Sequence, residues 1–184
     1  MSIAPEEERF AKNTTIMAQA VQECVQKLYN AGYKTADPAT ISLVVSMISA
    51  FNKHYLIQGF IQNSHQTCWD KIKERKEIFF VENAGDIFAN LPMDKVNLFK
   101  DLFTTKDAKG VSVIAQSVKD QIWQLFDSMV KISIKYIHKN RSPYSYQTSD
   151  GQVVNTYGAS FFDEVDIKYH AKIWEVKLEF PLQC

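Results

Sequence analysis

The chain has 184 residues, 21 basic and 21 acidic side chains and no formal net charge at neutral pH. A chain of this length buries roughly 70% of the surface its unfolded form exposes, so a packed core needs no disulfide or metal staple. Twelve Phe, eight Tyr and three Trp argue against disorder, and the charge balance argues against a general electrostatic attraction to nucleic acid or to an anionic membrane.

Three widely spaced cysteines, Cys24, Cys68 and Cys184, do not make a disulfide framework. Glu6, Glu7, Glu8 and Arg9 stand where a secretory apolar stretch would lie, so an intracellular location is expected. The most apolar window, Ile41 to Ile61, contains Asn52, Lys53, His54 and Gln58. It reads as a buried helix, and no transmembrane segment is expected.

In chain order, Pro5 and the three following glutamates suit a helix start, and Gly32 suits its end. Met17, Val21, Cys24 and Leu28 form the inward stripe, with Phe10 and Val25 beside it. Asp37-Pro38 opens a second helix carrying Ile41, Val44, Ile48, Phe51 and Tyr55. Ser64 or Thr67 caps a third, which runs to about Glu82 with Trp69, Ile72, Lys76, Phe79 and Phe80 on one face. A fourth starts at Pro92. The fifth, from Val111 to Asn140, is the centre of the fold. Val118, Ile122, Leu125, Met129, Ile132 and Tyr136 recur at helical spacing, with Phe126, Val130, Ile134 and Ile137 alongside. A stripe that wide calls for neighbours on more than one side.

Beyond Ser142-Pro143 the composition turns to Tyr, Thr, Gln and Val around Ser149-Asp150-Gly151, a hairpin signal. The segment 160–180 supports two readings. Phe162, Val165, Tyr169, Ile173, Val176 and Phe180 would make a helix stripe, but a second apolar stripe, Ile167, Ala171, Trp174 and Leu178, would then face the other way. Strict alternation with one slip at Ile173-Trp174 favours strands. The expected class is therefore α+β, mostly α. A bundle-like body of about five helices, 1–140, is closed by a small C-terminal antiparallel β element, 141–184, within a single domain.

Chemistry is sparse. Gly32, Gly59, Gly85, Gly110, Gly151 and Gly158 are isolated, which excludes the common phosphate-binding loops. His65-x-x-Cys68, with His54 eleven residues earlier, is one short pair and falls short of a metal site. Cys24 reads as core, and Asp163, Glu164 and Asp166 as a solvated turn. His138 and His170 read as surface residues. No cofactor and no metal is expected. The one charge asymmetry is Lys131, Lys135, Lys139 and Arg141 at the end of the long helix, followed by Tyr144 and Tyr146. Such a row can hold phosphates beside stacking rings, and it is equally the usual solvated face of a helix C-terminus.

The run Lys53-His54-Tyr55-Leu56 through Trp69-Asp70-Lys71-Ile72 to Phe79-Phe80, with the lysine-rich helix near Ile134 to Lys139, resembles uncharacterised helical proteins of large eukaryotic DNA viruses. That resemblance implies a structural or virion-associated role and transfers no site residue. The function expected is a non-catalytic interaction or assembly protein with a protein partner or a second copy, using Tyr144, Tyr146 and Tyr157 at the interface. The alternatives are a nucleic-acid-associated module on the Lys131–Arg141 row and an enzyme assembled around His65 and Cys68.

Overall fold

The computed structural model describes residues 5–33, 38–39, 42, 46, 52–83, 97, 100–101, 103–140, 145–147, 149–155, 162 and 164–178. Its named helices are α1 (Pro5–Asn30), α2 (Lys53–Ser64), α3 (Trp69–Lys73), α4 (Glu77–Glu82), α5 (Gln116–Asn140) and α6 (Ile167–Ile173). Two short strands, β1 (Ser145–Gln147) and β2 (Val153–Asn155), pair antiparallel with Gln147 opposite Val153. Of the expected second helix, which opens at Asp37-Pro38 and carries Tyr55, residues 40–41, 43–45 and 47–51 lie outside the described residues, and its later part belongs to α2, which Asn52 starts. Of the expected fourth, from Pro92, residues 92–96, 98–99 and 102 lie outside them.

Helix α5 is central because its buried side chains cover more than half its circumference. Ile122, Phe126, Met129, Val130, Ser133, Ile134 and Ile137 are joined by Trp123, Tyr136 and His138. Helices α1, α3 and α6 each pack against it. Helix α1 runs antiparallel to α5: Lys139 near the end of α5 meets Glu6, while Tyr33, just past α1, hydrogen-bonds Lys106 O ahead of α5 at 2.9 Å. Helix α2 starts beside the first turn of α1, with Phe10 and Phe60 rings 5.2 Å apart. Asn52 caps α2 by accepting from His54 N at 2.9 Å.

The α+β expectation is corrected. The described chain is mostly helical, and it builds no β layer. A ribbon of three residues a side cannot cover a core. The decisive segment is 160–180, expected as strands and found as α6. Asp166 caps it by accepting from Tyr169 N at 3.1 Å. Ile167, Ala171 and Trp174, the stripe that counted against a helix, is the one that is buried. Tyr169 and Ile173, from the stripe that favoured one, face solvent. Strict alternation cannot distinguish a strand from a short helix with apolar residues on two sides, and the tertiary contact chooses.

The long expected helix from Ser64 to Glu82 is broken at Arg75 (φ 55°), where a C-terminal cap closes α3. Lys76 N bonds Lys71 O at 3.1 Å and Arg75 N bonds Ile72 O at 3.1 Å, the paired bonds of a Schellman motif. The same pattern ends α6 at Glu175 (φ 54°), where Val176 N bonds Ala171 O and Glu175 N bonds Lys172 O. It also ends α1 at Gly32 (φ 97°), where the conformation is free of strain.

The two non-glycine positions should respond oppositely to glycine. Glu175 is exposed with no side-chain bond among the described residues. Glu175→Gly is expected to add roughly 0.5–1 kcal/mol by removing left-handed strain. Arg75 instead chelates Asp127, with Nη1–Oδ1 at 2.6 Å and Nη2 on Oδ2. It also donates to Trp123 O at 3.4 Å and lies over the Trp123 ring at 5.8 Å. Arg75→Gly forfeits about 1–2 kcal/mol of such contacts even after solvent screening, more than relief of strain returns. Urea midpoints of the two variants should therefore move in opposite directions.

Candidate functional site

Among the described residues the densest polar constellation joins α1, α2 and α5. Pro5 starts α1, so Glu6 and Glu7 fall in its first turn, where negative charge is favoured. Asn52 starts α2 and places His54 in its first turn. Tyr136 comes from the last third of α5. Glu7 Oε1 is 3.0 Å from the Tyr136 hydroxyl and 3.0 Å from His54 Nδ1, and the hydroxyl is 3.1 Å from the same ring nitrogen. Gln58, one turn on from His54, brings its amide nitrogen to His54 Nε2 at 2.8 Å. With the amide donating there, Nε2 is the bare nitrogen and the Nδ1 proton points at Glu7.

Glu6, the residue before Glu7 and 2% exposed, accepts from Lys139 Nζ at 2.6 Å, with Arg9 at 3.4 Å. Lys53 and Glu8 close the rim at 3.6 Å. Burial alone would push the Glu6 carboxyl up, but the Lys139 bond, its own backbone amide and Arg9 together hold it below its ordinary value. Burial and the neighbouring Glu7 carboxylate push the Tyr136 phenol far above its ordinary value. Tyr136 therefore keeps its proton and donates it to Glu7. It is a tether between helices, where a general base or nucleophile would need a lowered value. Tyr136→Phe should cost about 1–2 kcal/mol in chemical denaturation, since Glu7 loses a donor while the ring keeps its packing. A loss under a few tenths would show that the hydroxyl holds nothing.

The residues singled out in the sequence are dispersed. Lys131 is exposed, Lys135 is half-buried and Lys139 is committed to Glu6. Arg141, Tyr144, Tyr157 and the Tyr146 side chain lie outside the described residues. Cys68 is buried with its Sγ 3.3 Å from Thr67 Oγ1, and burial pushes its thiol up, despite Thr67 pulling the other way. Cys24 is a buried core thiol, also pushed up by burial. A nucleophilic cysteine needs the reverse. Among the described residues no group of three His, Cys, Asp or Glu side chains is placed to hold a metal ion. Asp163 lies outside the described residues, Glu164 is exposed and Asp166 serves as the α6 cap.

His138 and His170 correct the surface expectation: both are buried. His170 packs edge-on against Trp69, ring centroids 4.9 Å apart, and His65 lies against the same indole at 6.5 Å. The Glu7–His54–Tyr136 constellation left no local signal, because its members are separated by 47 and 82 positions. The one local signal that could have pointed to it is the step of four between His54 and Gln58, which the sequence reading did not use. Among the described residues no helix is long and apolar enough to cross a membrane. No family model, no curated protein and no solved structure matches this chain.

Proposed function

We propose that the protein is a non-catalytic interaction or assembly component that docks a protein partner on the outer face of α6. The observation carrying this is a pair of large apolar side chains one helical turn apart, Tyr169 at 45% and Ile173 at 37% exposure. Residues three or four apart on a helix form one continuous contact surface, and Tyr is the residue type enriched in interfaces. Lys168 and Lys172 border the pair and would make a polar rim. The body beneath is cross-braced: Glu6–Lys139, Glu7–His54 and Arg75–Asp127 hold helices to one another. Such bracing gives α6 a stiff platform on which to present a surface.

A photoreactive phenylalanine analogue at position 169 should crosslink a second copy or a foreign protein in cells, while the same analogue at exposed Asn63 on α2 should not. Equal crosslinking from both positions, or none from 169, would overturn the reading. A nucleic-acid role for the lysine row is the weaker alternative. Lys139 is held by Glu6, and the chain has no net charge to add long-range attraction.

A further inference from the structure

The attachment of α6 differs in kind from every other helix contact described. Among the described residues, the hydrogen bonds of 164–178 stay within that segment except that Val165 N donates to Phe162 O, just ahead of it, at 3.4 Å, and no ion pair ties it to the body. It is held by burial of Val165, Ile167, Ala171 and Trp174, by the His170–Trp69 ring contact and by Lys73 over the Trp174 ring at 5.1 Å. Two buried polar atoms at this contact, His170 Nδ1 and Trp174 Nε1, have no hydrogen-bond partner among the described residues.

We propose that this contact opens with acid: protonation of His170, reinforced by His65 beside the same indole, releases α6 from α3 and α5 while the α1–α2–α5 body stays folded. The geometry supplies the drive. A second proton on the His170 ring makes both nitrogens donors, and Nδ1 would then be a buried N–H of a cation with no acceptor, which is strongly disfavoured. The groups around the pair bear on it in both directions. Asp70 on α3 and Asp166 at the start of α6 favour the charged ring, whereas burial, the larger effect, and His65 oppose it. Glu164 favours a charged His65, and burial again outweighs it. The Tyr169 ring, 5.1 Å from His170, adds no formal charge, and the Lys73 ammonium over Trp174 adds a positive one.

The sign follows from both histidines being held below 6.5 in the docked state. Above that pH both are neutral whether α6 is docked or free, and docking is fully stable. As pH falls through 6.5 the released segment takes up protons first, and docking weakens until the docked values are reached. The device is independent of what binds the outer face of α6, though an occupant there would be lost with the helix.

Hydrogen exchange on the full chain tests this, with rates corrected for the intrinsic effect of pH. Protection of the α6 amides should fall about tenfold or more between about pH 7.5 and about pH 5, while α1 and α5 keep theirs. His170→Phe, which keeps a ring against Trp69, should abolish the difference, and His65→Gln should reduce it. The proposal is overturned by unchanged α6 protection, by α5 losing protection together with α6, or by an undiminished acid response in His170→Phe. Should His170→Phe fail to fold, an undiminished response in His65→Gln overturns it alone.

Discussion

Replacing Trp69 by alanine is expected to cost about 3–5 kcal/mol, a large part of the roughly 5–15 kcal/mol available to a domain. Trp69 is fully buried at the start of α3, the helix that lies on α5, and its ring carries the His65 and His170 contacts. Its indole N–H donates to Ser64 Oγ at 2.9 Å, and that hydroxyl donates in turn to Phe60 O. Truncation would open a cavity bounded by three separate elements, which cannot all collapse into it. Trp69→Phe separates the two losses: it keeps most of the ring area and removes only the N–H, at about 1 kcal/mol for the bond. Urea denaturation should show a lower midpoint for Trp69→Ala with an unchanged slope. A cost below that of Trp69→Phe would mean that the indole is not the keystone of this corner.

Replacing Lys139 by methionine should cost about 2–3 kcal/mol, because it leaves the Glu6 carboxylate buried with only Arg9 near. The figure stays below that of a wholly enclosed pair because Lys139 is itself partly exposed and screened. The pH dependence identifies the cause. Glu6 is held below 4.5 in the folded protein, so its contribution is present above that pH and is lost as pH falls through the folded value. The gap between the parent and Lys139→Met should therefore be widest near neutrality and close below about pH 4.5. The double variant Glu6→Gln/Lys139→Met should cost less than the sum of its parts, the mark of a direct pair. A gap that is constant across pH would instead point to lost packing of the lysine stem.

A lysine at the end of α5 was legible as a charge on a face, but whether that charge faces water or a buried acid depends on Glu6, 133 positions away. The same holds for Tyr136. Its place on the apolar stripe was evident from spacing, whereas its hydroxyl partners, Glu7 and His54, come from two other helices. His170 illustrates the converse. It was read as a surface residue because no partner stands at a recognisable spacing from it, and it is buried because α6 turns a helical face toward Trp69.

What the sequence determined by itself was local and periodic. Pro5 and the glutamates behind it start α1, Gly32 ends it, and the sustained stripe after Gln116 makes α5 the helix that others cover. These follow from backbone sterics, the helix dipole and hydrophobic spacing, which act within a few residues. Tertiary structure decided the rest. It broke the third expected helix at Arg75, where the guanidinium reaches Asp127. It turned 167–173 into a helix by burying Ile167, Ala171 and Trp174 together. It also brought Glu7, His54 and Tyr136 to one point. Each of these outcomes depends on a contact between distant positions, and the energy of such a contact exceeds the small local preference it overrides.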